Sequence, residues 1–523
     1  MMVGRLFRFM WNAVFRRNAI SNRLPMAEAD AAELALAAED FAAGRLAPAR
    51  ARYELLSKRH PGNAEILFRL GVIYGGSGLL AAAEATLERA AQVDPQSADI
   101  LNARANVAWL QAAWEDAGRH FRAALELEPR NAIVWANFGL CLHDAGKLQE
   151  ASAAVARALE IDPAHPDALV NAALVRLDLA DTDGSRAFLQ RALLAAPEFP
   201  EAHALNAQLL LRDERYAEGW REYEWRLRCA EARDREQAAL PRWDGAGDHS
   251  RGLMVYAEQG LGDQIMFASC LPDVMMKVAR CDVECDARLA ALFSRSFPGI
   301  VFHPQAADLA RPWAEARPNE ASQIHLGSLP QLFRGDGHCF PRHHGYLKPD
   351  SAKAAYWTDQ LASLGEGLKV GIAWRGGVPR TRQSMRSIPL PEWLPLLQCR
   401  GIHFVSLQHG RCEAELAEIR LTENVRIAHW RRAADDCDEL AALIAGLDIV
   451  ITVCGTVVHL AGALGRPAWV FVPACPEWRY RGAGDTMPWY PSVRLFRQDV
   501  LGDWRGPIRN VSQQLSAMAP PCR

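Results

Sequence analysis

Five prolines, Pro61, Pro95, Pro129, Pro163 and Pro197, stand 34 residues apart without a slip, and this period constrains the chain more than any other feature. Lined up on it, Ala29–Gly62, Asn63–Gln96, Ser97–Arg130, Asn131–Ala164 and His165–Glu198 become five equivalent units. Tyr53, Leu87, Phe121, Val155 and Leu189 place a large apolar side chain at one register, and Ala83, Ala117 and Ala151 place a small one where two helices must approach closely. Gly44, Gly78 and Gly146 fall between helical stretches, where a helix C-terminus favours glycine. Proline cannot continue a helix interior, so each of the five marks the end of a helix. A sixth, degenerate unit runs from about Phe199 to Cys229 and ends in GWREYEWRLRC, whose aromatic residues are expected to seal the array.

These features resemble the tetratricopeptide repeat family. The resemblance implies an all-α solenoid over residues 29–230 whose first helices line an inner face, and such faces commonly hold an extended peptide. Asn137 and Asn171 lie one period apart and are expected to point the same way. Two readings stay open: a ladder of amides binding a peptide backbone, or ordinary polar surface residues.

At 523 residues the chain is too long for one core, and with 23 % charged residues it has ordinary globular composition. A net charge of -3 gives no support to nucleic-acid binding. Its twelve cysteines form no CxxC pair, which points away from zinc and disulfide frameworks and towards reduced thiols in the cytosol. The first 25 residues hold five arginines and no acid. As a helix, this extension (residues 1–28) would align Val3, Phe7, Met10 and Val14 and could lie peripherally on an anionic inner-membrane surface. A disordered or docking extension is the plainer reading, and Asn12 makes a poor signal-peptide core. Ile449–Gly465 is uncharged but short for a span, and reads better as strand, glycine turn and helix, so no transmembrane segment is expected.

After a turn-rich linker at 231–250, short apolar runs alternate with helical stretches, the pattern of a parallel α/β sheet. LMVYA (253–257), DVECD (282–286), KVGIAW (369–374), IHFVSL (402–407), DIVITV (448–453) and AWVFV (468–472) are the expected strands. They form two groups, 251–350 and 351–520, read as two Rossmann-like halves facing a cleft. Three loops carry chemistry. GLGDQI has the first two glycines of a dinucleotide fingerprint, Gly260 and Gly262, but Ile265 where the third belongs. Asp263, at the helix N-terminus behind that turn, suits a general base; plain helix capping is the alternative. In VITVCGTVVHLAGALGRP, the amides of Gly455 and Thr456 and the Thr456 hydroxyl make a seat for a diphosphate. His459, one turn further, either reaches a phosphate or sugar oxygen or packs in the core. Arg375, Arg380, Arg382 and Arg386 load the loop after KVGIAW with positive charge suited to phosphate; Arg386 is the chosen member over a merely solvated loop.

YAEQGLGDQIMFA, GIAWRGG…RSIPL, FVSLQHG, ALIAGLDIVITV…HLAGALGRP and PWYPSVRLFRQ, in this order through Leu253–Gln498, resemble bacterial repeat-bearing glycosyltransferases whose catalytic half is similar to the lipopolysaccharide heptosyltransferase family. The resemblance implies a GT-B fold and metal-independent, inverting transfer of sugar from a nucleotide-sugar co-substrate, with no cofactor. It assigns Asp263 as the base and places donor phosphates near Gly455, Thr456, His459 and Arg386. Trp489 and Tyr490 fall in its late cleft-side signature. Two positions depart: Cys454-Gly455 replaces the usual Asp-Thr, and His409 replaces a usual lysine. An altered donor or a lost activity would follow. Three functions compete: transfer to a protein acceptor such as flagellin recruited by the repeats, a scaffold with a vestigial transferase half, and transfer to lipopolysaccharide or another glycolipid.

Overall fold

The structure is a computed structural model that describes residues 27–229, 240–246, 252–305, 322–377 and 383–519. The expectations placed on residues 1–25, on most of the linker and on Arg380 and Arg382 lie outside the described residues. The chain divides into two compact units, Met1–Asn206 with Trp225–Asp234, and Ala207–Glu224 with Arg235–Arg523. The boundary expected near residue 230 therefore falls inside the sixth repeat.

Among the described residues twelve helices precede the first strand. They are α1 (Glu28–Ala42), α2 (Leu46–Arg59), α3 (Ala64–Gly76), α4 (Leu80–Val93), α5 (Ala98–Leu110) and α6 (Trp114–Leu127). α7 (Ala132–Asp144), α8 (Leu148–Ile161), α9 (Pro166–Asp178), α10 (Thr182–Ala195), α11 (Pro200–Arg212) and α12 (Tyr216–Tyr223) follow. The repeat proline is only half of each punctuation mark. Two residues after it, Asn63, Ser97, Asn131 and His165 each cap the next first helix by accepting backbone N–H groups, as with Asn63 Oδ1 at 3.0 Å from Glu65 N. The turn between the paired helices is geometrically constant. Gly44, Gly78 and Gly146 have φ of 75°, 75° and 78°, and Ala112, Ala180 and Glu214 take 59°, 63° and 62° at the same register. Packing of the two helices thus dictates the left-handed turn even where a side chain makes it cost about 1 kcal/mol. Tyr53, Leu87, Phe121, Val155 and Leu189 are all buried.

In the second unit, β1 (Gly252–Tyr256), β2 (Arg280–Cys285), β3 (Ile300–Pro304) and β4 (Ser322–His325) form a parallel sheet ordered β3-β2-β1-β4. The end of the linker is not free: Trp243 N donates to Gln323 O at 2.8 Å, and its ring is buried. β5 (Leu368–Ala373), β6 (Ile402–Ser406), β7 (Ile427–His429), β8 (Ile449–Val453), β9 (Ala468–Val472), β10 (Thr486–Met487) and β11 (Tyr490–Arg497) form the second sheet. Its order is β10-β11-β9-β8-β5-β6-β7, parallel except for β10. From β7 to β11 this is the doubly wound order in which strand direction of travel reverses between β5 and β8; the first sheet reverses between β1 and β4. Ile449–Gly465 is strand, turn and helix as expected, the helix being Thr456–Ala463, and no described helix is long and apolar enough to cross a membrane.

The aromatic residues of α12 pack within this second unit. Trp220 meets Trp478 at 5.4 Å and Trp489 at 6.2 Å between ring centroids, and its Nε1 donates to Arg334 O at 2.8 Å. The segment joining the halves is fastened by backbone: Tyr346 N and Leu347 N donate to Ala463 O at 2.7 and 2.9 Å. Gly345 and Gly465 make that approach possible. A Cβ on Gly345 would lie 2.7 Å from Leu464 C, and one on Gly465, whose φ is +70°, would collide with His344 O.

Candidate functional site

Ligands of doubly wound sheets bind outside the carboxyl ends of the strands where the order reverses. The loops after β1, β5 and β8 lie at those ends, and the loop after β9, the next strand over from β8, meets them. After β1, Gln259 takes φ +66°, a conformation rare outside glycine, and its amide pairs with the Tyr223 hydroxyl, whose oxygen accepts from Nε2 at 2.6 Å. Gly260 is exposed and the helix Leu261–Phe267 begins behind it. Asp263 sits in the first turn with Oδ2 3.4 Å from Gly260 N, a capping contact. Its Oδ1 accepts from Arg479 Nε at 2.8 Å and also from Arg479 Nη2. Gly262 is glycine because His459 lies against it: a Cβ there would be 2.8 Å from His459 Cδ2.

That contact corrects the reading of His459 as a ligand group. Its ring is buried, Nδ1 lies 3.1 Å from the Tyr490 hydroxyl, and burial, reinforced by the Arg479 charge, pushes its pKa down to about 3. It is a neutral prop beneath the glycine turn. Tyr490 is the partner that holds it, and Trp489 is buried among Phe340, Phe267, Trp220 and Trp478.

Gly455 and Thr456 are half-buried at the start of the helix Thr456–Ala463, and the N-cap residue, Gly455, has no side chain with which to cap it. The loop after β5 crosses close above: a Cβ on Gly376 would collide with Cys454 O and lie 3.1 Å from Arg386 O. Gln408 fixes the start of that loop, its Oε1 accepting from Trp374 N and Arg375 N at 3.1 and 2.9 Å. Arg375 turns away to Arg411 O, at 2.7 Å, and to Glu415. Arg386 instead meets Glu477 Oε1 at 2.6 Å. Arg479 Nη1 lies 3.4 Å from Glu477 Oε2, so Arg386, Glu477, Arg479 and Asp263 form one chain of alternating charge. Burial alone would lower the Arg479 pKa, but the Asp263 and Glu477 charges outweigh it and hold it above its ordinary value. Glu477 and Arg479 escaped the sequence reading, although ACPEWRY follows the AWVFV strand and held the same signal as the other strand-end loops.

The Cys454 side chain belongs to the core, its thiol 3.5 Å from Phe471 O and pushed up to about 12 by burial. His409 is exposed beside Ala434 O and Asp435. Among the described residues no group of three or more His, Cys, Asp or Glu is placed to hold a metal ion.

Asn137 and Asn171 do not present free amides to a groove, which corrects that expectation. Both are buried in the seam between repeats, where Asn137 Nδ2 donates to Asn102 Oδ1 at 3.2 Å and Asn171 Nδ2 to Ala136 O at 3.0 Å. Each contact spans 35 residues, one repeat plus one, because that offset brings successive first helices together. A second polar chain runs through the same seam. Trp109 Nε1 donates to Asp144 Oδ2 at 2.9 Å, His143 Nδ1 lies 3.1 Å from Asp144 Oδ1, and His143 Nε2 lies 2.8 Å from Asp178 Oδ2. Burial opposes charge on His143, but the two carboxylates outweigh it and raise its pKa to about 9.

Fold and strand-end loops together define a helical-repeat protein joined to a doubly wound α/β unit. Tetratricopeptide repeat family models match residues 40–107 with 142–209, and 102–166, so this array is one of tetratricopeptide repeats. The chain is 32 % identical over 329 residues to Protein FlbA of Caulobacter vibrioides, a match covering 60 % of this chain and 54 % of FlbA. It thus spans about half the length of that curated relative, and a stretch of this size cannot be confined to the repeats. Among solved structures, TTC0263, a thermophilic TPR protein in Thermus thermophilus, is 22 % identical over 35 % of this chain and 99 % of that one, with a TM-score of 0.33. YrrB, a TPR protein with an unusual peptide-binding site, is 22 % identical over 33 % of this chain and 90 % of its own, with a TM-score of 0.27.

Proposed function

We propose that the chain is a glycosyltransferase that moves a sugar from a nucleotide-sugar donor to an acceptor hydroxyl, with the repeats recruiting a protein acceptor. The observation that carries this reading is the convergence of the glycine turn, the uncapped helix at Gly455-Thr456 and two arginines at the carboxyl ends where both sheets reverse order. Two such sheets fit a GT-B arrangement, with Asp263 on the acceptor half and Arg386, Gly455 and Thr456 on the donor half. Asp263 would take the proton of the acceptor hydroxyl; the helix N-terminus and Arg386 would hold the donor phosphates. Cys454 speaks for an altered donor rather than a vestigial site, because its thiol lies in the core and so does not itself fill the place of a donor. The repeats favour a protein acceptor over a glycolipid, since a small sugar-lipid needs no array of this length; flagellin is the acceptor to try first.

Titration calorimetry of the full chain with ADP, UDP, GDP, CDP and CMP tests the donor site. One nucleotide is expected to bind saturably, and Arg386→Ala is expected to weaken it at least about tenfold, the loss of one charge-assisted contact. No binding by any of the five would leave the repeats as the working part and the protein as a scaffold.

A further inference from the structure

Resting on the reading of a nucleotide-sugar site, we infer that Glu477 occupies the place of the ligand's diphosphate: its carboxylate bridges Arg386 and Arg479, and a nucleoside diphosphate binds by displacing it. Four groups meet here from three loops. Arg386 comes from the loop after β5, Glu477 and Arg479 from the loop after β9, and Asp263 from the turn after β1. One Glu477 oxygen faces each arginine, at 2.6 and 3.4 Å. Two guanidinium groups converging on the two oxygens of one anion is the arrangement that receives a phosphate or diphosphate.

The four groups are not equally fixed. The side chains of Arg386, Arg479 and Asp263 are 11 %, 13 % and 18 % exposed, against 26 % for Glu477. The Arg479 guanidinium lies 4.6 Å from the Trp478 ring centroid, and Trp478 is buried against Trp220 and Phe267. Arg479 is therefore held by its neighbours, while Glu477 stands on extended backbone at φ -63°, ψ 153°, just ahead of the turn Trp478–Tyr480. Among the four, Glu477 is the most exposed, and its departure uncovers the sides of Arg386 and Arg479 that it bridges. Two converging guanidinium groups favour an anion between them, so the carboxylate holds that place until a ligand anion replaces it.

The test compares the full-length protein with its Glu477→Gln and Arg479→Gln variants by titration calorimetry against ADP, UDP, GDP and CDP, with thermal melting as the folding control. Glutamine keeps the size of the side chain and removes its charge, so Glu477→Gln should bind the diphosphate about tenfold more tightly than the wild type. Arg479→Gln should bind it at least about tenfold more weakly. If Glu477→Gln does not fold, Glu477→Asp decides, since the shorter carboxylate cannot reach both arginines and should also tighten binding. Wild-type binding that is unchanged or weakened in the Glu477 variant overturns the displacement while leaving the nucleotide site intact. Binding that appears only in the Glu477 variant supports it. No binding by any of the proteins overturns both.

Discussion

Replacing Asp144 by alanine is expected to destabilise the repeat array by about 3–5 kcal/mol, the usual consequence of removing one partner of a buried charge pair. The Asp144 carboxylate serves two groups at once, the His143 imidazolium and the Trp109 indole N–H, and both are buried. Alanine would strand the indole N–H and leave the imidazolium to Asp178 alone, in a seam without solvent to replace the lost contacts. The loss should appear as faster amide hydrogen exchange across α5, α7 and α9, with the α/β sheets unaffected; an effect below about 1 kcal/mol would show that the chain of polar contacts is ornamental. The same chain sets a pH dependence. The folded pKa of His143, raised from 6.5 to about 9, exceeds its unfolded value. Its contribution is therefore fully present below about pH 6.5 and is lost as pH rises through about 9, amounting to about 3 kcal/mol. The array in the wild type should protect its amides better at pH 6 than at pH 10, and in His143→Leu that difference should vanish.

Gly465→Ala should be nearly as damaging, at about 3 kcal/mol, and its loss should extend to nucleotide binding. Two costs combine: an alanine at φ +70° and a Cβ driven into His344 O. Relief requires breaking the Tyr346 and Leu347 hydrogen bonds to Ala463 O, and these hold the end of the helix whose other end carries Thr456. Gly410→Ala is the matched control. Gly410 has φ +79° with nothing within 4 Å of the added Cβ, so it isolates the backbone cost, about 1 kcal/mol. Equal melting temperatures for the two variants would mean that the crossing at Gly345 and Gly465 yields freely.

The repeats were legible because local chemistry marks every unit boundary: a proline, then a capping residue, at a fixed period. Most strands read as such carry buried apolar runs, such as Ile449–Val453, while DVECD was read from a run broken by Asp282 and Glu284. β3 was not, because Val301 is exposed and Phe302 and His303 are only half-buried, and β7 has three half-buried residues. Such edge strands owe their existence to the partner beside them rather than to their own pattern. The site divides along the same line. Gly260, Gly262 and Asp263 announce a turn within six residues, whereas Arg479 meets Asp263 from 216 residues away. Only closure of one sheet's loops on the other's creates that pair. Asn137 and Asn171 were placed on the correct helices, but helical period alone does not separate a groove from a seam when the facing surface is another copy of the same repeat.

The polar seam also governs how this array could have grown or shrunk by recombination of whole units. Asp144 and Asp178 occupy one register, as do Trp109 and His143, so excising residues 131–164 would set Asp178 opposite Trp109 and restore an indole–carboxylate pair at the new joint. Excising residues 165–198 would instead bring Arg212 to the register of Asp178 and oppose it to the His143 imidazolium, two cations where burial allows neither to be hydrated. The fourth unit is interchangeable with its neighbour, and the fifth is not.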